Sequence, residues 1–302
     1  MIGEVMSRVG FNMRSIGLES SVLDCAKFAA DNGIGALELD GRSLWHNVLI
    51  REEIRELKIL GARYGIDYSI HFPWVTYAGS LDLEQRRQNL IDLEGTIRFA
   101  DDITAKAIVV HPPYDFSGVP ESERGTPEKL LTSRQLTTEF FQHASRTAED
   151  CGVRLCIENG AVGAPESFFN NHHDLVQLVE DINSPCVGIC LDVGHAGIWG
   201  DGVDVAFETF RPHIRHYHMH DWILPKNGQV VGGSTDHYEV GVEGGNLDLA
   251  KYISILQETQ AYMMTMEVGH SAVIEEEAQR DPKEMVIRSR KALIEMIPGL
   301  AQ

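Results

Sequence analysis

The sequence predicts an α/β protein folded as a single (β/α)8 TIM barrel over residues 1–302, and three observations carry that expectation. Short apolar runs of four to six residues, rich in Val and Ile, alternate with longer segments of helical periodicity. There are eight such pairs, the number that closes a barrel, and a helix after each strand makes the strands parallel. No GxGxxG or Walker loop follows the first run, where a doubly wound open sheet usually carries one.

The elements follow in order. Val9–Met13 leads to a helix over Ser21–Asn32, with Ser21 placed before its start and Gly33 after its end. Ala36–Leu39 is followed by Arg51–Tyr64, and Tyr68–His71 by Leu83–Ile103. Ala107–His111 precedes Ser133–Asp150, which Gly152 closes, and Arg154–Glu158 precedes Asp174–Asp181. Val187–Asp192 is paired with Val203–Arg211, and Ile214–His218 with Asp248–Glu258. Met263–Glu267 comes last, before a helix over Pro282–Ile297 opened by Asp281-Pro282. No linker or low-complexity tract divides the chain. The longest connections, roughly 112–132, 219–247 and 268–280, each follow a strand, so they gather on the face where barrels build active sites.

Charge narrows the partners. With 45 acidic against 26 basic residues the formal charge is −19, which opposes binding to nucleic acid or to an anionic membrane. No run approaches the ~20 apolar residues of a membrane span, and Met1 to Gly17 lacks a signal-peptide pattern. The five cysteines are odd in number and lack CxxC spacing, as expected of buried thiols in a reducing compartment. These features describe a soluble cytoplasmic protein with a small-molecule substrate; a homo-oligomer is compatible with them.

Chemistry is concentrated at the strand ends. Six successive strands finish at His71, His111, Glu158, Asp192, His218 and Glu267. In a closed barrel these positions converge, and converging buried carboxylates need cations to neutralise them. A divalent metal supplies that charge, and a mixed carboxylate–imidazole shell suits Zn, Mn, Co or Fe rather than Ca. His216, His218 and His220 share one face of a regular strand, with His216 expected deeper and His220 at the rim.

On Ile157-Glu158-Asn159, Leu191-Asp192-Val193-Gly194-His195 and His216-Tyr217-His218-Met219-His220-Asp221, the chain resembles the xylose isomerase-like TIM-barrel superfamily. That superfamily holds the sugar (phosphate) isomerases and epimerases together with endonuclease IV. In the ketose epimerase branch the resemblance implies one metal held by Glu158, Asp192, His218 and Glu267. The same match makes His195 a substrate-binding residue of the catalytic site and Glu158 and Glu267 the acid/base pair. In the endonuclease branch His71, His111, His195 and His237 would join them around three zinc ions. The endonuclease pattern has Asp-x-His where this chain has Ser234-Thr235-Asp236-His237, and neighbouring side chains of an extended segment point to opposite faces. The ketose epimerases place an Arg soon after the strand-seven histidine, and none stands between His218 and Lys226.

The expectation is therefore a metal-dependent isomerase or epimerase, or a related dehydratase, acting on a small sugar, ketose or polyol-derived carbonyl compound. The metal would chelate adjacent carbonyl and hydroxyl oxygens and stabilise an enediolate after proton abstraction. His71 and His111 would shape the pocket or bind a second metal. The alternative is a multinuclear zinc phosphoesterase of endonuclease IV-like type. Trp74, Tyr114, Trp199 and Trp222 follow four of the histidines by three or four residues, and either stack on the substrate or pack the loops. Arg14, Arg42 and Lys226 lie on post-strand loops, where a solvated surface role is the simpler expectation. Cys186 and Cys190 read as core, His172-His173 as a loop and helix cap, and Gly232-Gly233 and Gly244-Gly245 as loop glycines.

Overall fold

The computed structural model describes residues 8–17, 19–74, 76–113, 126–160, 171–198, 202–224, 236–259, 261–269, 281–297 and 300. Eight parallel strands pair in sequence order and close on themselves: β1 (Arg8–Asn12), β2 (Ala36–Leu39), β3 (Asp67–His71), β4 (Ala107–Val110), β5 (Arg154–Glu158), β6 (Val187–Asp192), β7 (Ile214–Met219) and β8 (Met263–Met266). β8 returns to β1 in the register Phe11 to Met266, and the fold is a (β/α)8 TIM barrel. Helices α1 (Val22–Asp31), α2 (Trp45–Val48), α3 (Arg51–Tyr64), α4 (Leu83–Ile103), α5 (Pro127–Cys151), α6 (His172–Ile182), α7 (Val193–Ile198), α8 (Val203–Phe210), α9 (Ile253–Glu258) and α10 (Pro282–Met296) run between or after them.

Local chemistry fixes the helix ends. The Ser21 side chain accepts from the Asp24 amide, and the Asp281 side chain accepts from Lys283 just ahead of Pro282. Gly152 closes α5 in the left-handed conformation. α5 starts at Pro127 rather than at residue 133, because Thr126-Pro127 initiates it before the apolar stripe begins. His172 and His173 are the first residues of α6 rather than its cap. Asn171 is the N-cap, and the His172 ring packs edge-on against Phe210.

The barrel wall is apolar outward and polar inward near its C-terminal end. One large core lies between sheet and helices, while Ala107, Val109, Cys156 and Cys190 form a separate small cluster. Strand alternation puts Cys156 on the face of Glu158, and Cys190 on the face of Asp192, so this cluster floors the barrel beneath the charged layer. Burial pushes the Cys156 thiol up to about 12 and the Cys190 thiol well above its ordinary range, so both stay protonated. No helix among the described residues is long and apolar enough to cross a membrane.

Candidate metal centre

The ends of β5, β6, β7 and β8 bring four side chains to one point. Ligand atoms of Glu158, Asp192, His218 and Glu267 all lie within 4.8 Å of one another, and all four residues are buried. His218 Nδ1 stands 3.3 Å from Glu158 Oε1, 3.3 Å from Glu267 Oε2 and 3.8 Å from Asp192 Oδ2. A tetrahedral shell at 2.0–2.2 Å from a metal separates its ligand atoms by about 3.4 Å, so the spacing matches.

The donor set also fits in its proton count. Both nitrogens of His218 face carboxylates, since Nε2 lies 3.2 Å from Glu38 Oε1. Nε2 makes no hydrogen bond in this geometry, and a neutral imidazole protonated there keeps its Nδ1 lone pair facing three carboxylate oxygens. Those lone pairs need a cation between them. In the metal-free protein the alternative is an imidazolium: burial lowers His218, but the surrounding anionic groups, Glu267, Glu38 and Glu158 among them, hold it well above the usual histidine range. Burial raises the Glu158 carboxyl, and its imidazole neighbours, His111 and His218 first, reverse this and hold it well below the usual carboxylate range.

Each glutamate keeps a second oxygen for other partners. Glu158 Oε2 lies 3.2 Å from His71 Nε2 and 3.0 Å from His111 Nε2, while Glu267 Oε1 accepts from Asn12 Nδ2 at 2.9 Å. His71 Nδ1 donates to the Phe72 carbonyl at 2.8 Å, so its Nε2 must carry a second proton or face a cation to meet Glu158. Burial lowers His71, and Glu158 lifts it to about 9.

The chain matches the model of the xylose isomerase-like TIM barrel over residues 26–293. It belongs to that family. Among curated relatives it is 26% identical to an uncharacterised protein of Methanocaldococcus jannaschii, over 74% of this chain and 68% of that one. It is 25% identical to the inosose isomerase of Bacillus subtilis over 44% of this chain and 46% of that one. It is 26% identical to a probable endonuclease 4 of Mesomycoplasma hyopneumoniae over 52% and 51%. The chain thus spans about half the length of the last two. Solved structures share the fold: a D-tagatose 3-epimerase-like protein (TM-score 0.72, 20% identity, 96% of both chains) and the IOLI protein with a binding zinc atom (TM-score 0.75, 17% identity, 98% and 99%).

Within this family frame, several residues of the centre escaped the sequence analysis. Glu38 lies mid-strand in β2 rather than at a strand end. It accepts from Asn12 Nδ2 at 3.1 Å and Ser69 Oγ at 2.8 Å, and its Oε2 is 3.2 Å from His216 Nε2. The signal was a carboxylate inside a wholly buried strand, Ala-Leu-Glu-Leu. Because Glu38 backs the His218 ligand, Glu38→Gln is expected to weaken metal affinity by about 10- to 100-fold, measured by competition with a chromogenic chelator. Asn159 ties β5 to β6 by donating to the Asp192 carbonyl at 2.9 Å and accepting the Asp192 amide at 2.8 Å.

Three expectations change. His220 is no rim group: it is fully buried, with Nε2 2.9 Å from Asp192 Oδ1. It is drawn inward because Asp221 pairs with Tyr238 in an antiparallel bridge. His237 and Asp236 do not point to opposite faces, because His237 has φ +60° and its Nδ1 lies 3.1 Å from Asp236 Oδ1. That bend brings His237 beside His195 and His220, with ring nitrogens of the three within 4.8 Å. Both His220 nitrogens are already engaged, however, since Nδ1 accepts the His237 amide at 2.9 Å. Trp222 follows the packing alternative: it is buried, and its ring lies against Gly197 of α7. Gly245 is more than a flexible position, because a Cβ there would strike the Asp221 carboxylate. That carboxylate accepts main-chain N–H bonds from Trp222, Gly241, Asn246 and Leu247 and so organises the loop after β7.

Trp74 is 42% exposed on the barrel mouth, while Tyr114, Trp199 and Lys226 lie outside the described residues. Arg42 is exposed, as expected of a surface arginine, and its Nε and Nη2 both lie 2.6 Å from Asp40 Oδ2. α7 has no counterpart among the expected helices, and Gly194 is what admits His220: a Cβ would run into the imidazole. Gly194→Ala is expected to cost about 1–3 kcal/mol, read as a lower melting temperature of the metal-free protein.

Proposed function

We propose that the protein is a metal-dependent isomerase or epimerase, or a related dehydratase, acting on a small sugar, ketose or polyol-derived carbonyl compound. One observation carries this. Glu158 and Glu267 come from β5 and β8, flank His218 Nδ1 at 3.3 Å each, and hold their second oxygens on separate partners. Two carboxylates so placed can take a proton from one face of a carbon and return one to the other. A divalent metal held by Glu158, Asp192, His218 and Glu267 would polarise a carbonyl and its neighbouring hydroxyl, making the C–H between them acidic. His195 donates Nδ1–H to the Asn159 carbonyl at 3.1 Å, which leaves Nε2 to receive a substrate hydroxyl. His71 and His111 steady the second oxygen of Glu158. The relatives, an inosose isomerase and a D-tagatose 3-epimerase-like protein, support the same class.

The test is incubation of Mn-, Co- and Zn-loaded protein with ketoses and inososes in D2O, followed by NMR. Deuterium entering carbon next to the carbonyl is the expected result. A phosphoesterase is the second reading, favoured by His71 and His111, which both lie against Glu158 Oε2. Hydrolysis of bis(p-nitrophenyl) phosphate by zinc-loaded protein, with no deuterium uptake from any sugar, would favour it.

A further inference from the structure

Among the described residues, the metal-centre account leaves a cation at the barrel mouth unused. Arg14 sits in the 3-10 turn Met13–Ile16 that follows β1. Its backbone is fixed, because its N–H donates to Asn12 Oδ1 at 3.0 Å and its carbonyl accepts from Gly17. The guanidinium lies over the Trp74 ring, with Cζ 4.2 Å from the centroid. Its Nε is buried and has no hydrogen-bond partner. No ion pair joins Arg14 to a carboxylate among the described residues.

The acids that feel its charge are committed elsewhere. Asp40 is clamped by the Arg42 guanidinium at 2.6 Å and by the Arg42 amide at 2.8 Å. Glu267 accepts from Asn12 and faces His218. A half-buried guanidinium with an orphaned donor is costly to maintain unless a ligand completes it. Stacking on Trp74 holds the planar fork in place while leaving its edge for an anion, and the fork matches a carboxylate or phosphate. On a chain of net charge −19, a local cation is what would let an anionic substrate approach.

We propose that Arg14, seated on Trp74, is the subsite for an anionic group, a carboxylate or a phosphate, carried by the substrate away from its reacting carbonyl. The inference rests on the sugar isomerase reading and narrows its substrate class to acidic or phosphorylated sugars. Arg14 binds and orients; it takes no part in the proton transfer.

The test is calorimetric binding of three unreactive polyols, glucitol, gluconate and glucitol 6-phosphate, to Mn-loaded wild type, Arg14→Gln and Arg14→Lys. Wild type should bind at least one charged polyol about tenfold or more tighter than glucitol. Whichever charged polyol is preferred distinguishes carboxylate from phosphate. Arg14→Gln should bring the preference to within about twofold without changing glucitol affinity, and Arg14→Lys, which keeps the charge without the fork, should fall between. A charged group that merely ligates the metal would keep its advantage in Arg14→Gln, and that result overturns the subsite. So does equal weakening of all three polyols, or no preference in wild type. Each of these leaves the isomerase reading standing if glucitol still binds; failure of all three to bind metal-loaded wild type sinks both.

Discussion

Glu158→Gln is expected to lower turnover by about 10³-fold at saturating metal, within the range contributed by a positioned acid or base. Glutamine can still offer one oxygen towards His218, but it cannot accept the substrate proton. It would also turn an amide towards His71 and His111, whose nitrogens now meet Glu158 Oε2 at 3.2 and 3.0 Å. Glu267→Gln should lose a similar amount, and in an epimerase the two variants should favour opposite directions of exchange. The measurement is initial rate with metal content determined on the same sample. Full turnover by Glu158→Gln with metal still bound would show that Glu158 is not the base.

Removal of the metal should have the second large effect. Three ligand carboxylates and Glu38 surround His218, all of them buried, and their repulsion is relieved by the cation. A ligand at 100 times its dissociation constant stabilises the native state by about 2.7 kcal/mol. For a chain of this size that corresponds to a rise of about 4 °C in melting temperature. Chelation should therefore lower the melting temperature by that amount, and Mn or Zn should restore it. In His218→Ala the metal response should disappear. An unchanged melting temperature on adding metal to the stripped wild type would contradict the ligand set.

Much of this was legible in the sequence because barrel strands are buried on both faces and stand out as apolar runs. The bounds of β2, β5 and β6 and of α3 and α4 match those read from periodicity alone. The four residues of the candidate metal site stood out because each ends or directly follows such a run, and their grouping as one ligand set came from the family resemblance. Other parts were hidden for definite reasons. Glu38 and Asn12 act from within or at the end of strands that offer no conspicuous motif, and their roles come from register: Asn12 pairs with Glu38, and Glu38 with Ser69. α7 carries Gly194 and Gly197, which oppose helix by propensity but are required by the rings of His220 and Trp222 packed on them. His237 defeated the alternation rule because one left-handed residue reverses which side its side chain takes. Arg14 looked like a surface arginine because its partner, Trp74, comes from the loop after β3.

The most direct test of the central claim is elemental analysis of protein purified without chelator and without added metal, run beside His218→Ala. The account predicts about one Mn, Co, Fe or Zn per chain in the wild type and almost none in the variant, because His218 lies at the centre of the three carboxylates. No bound metal in the wild type, or the same metal content in His218→Ala, would contradict a centre built on Glu158, Asp192, His218 and Glu267.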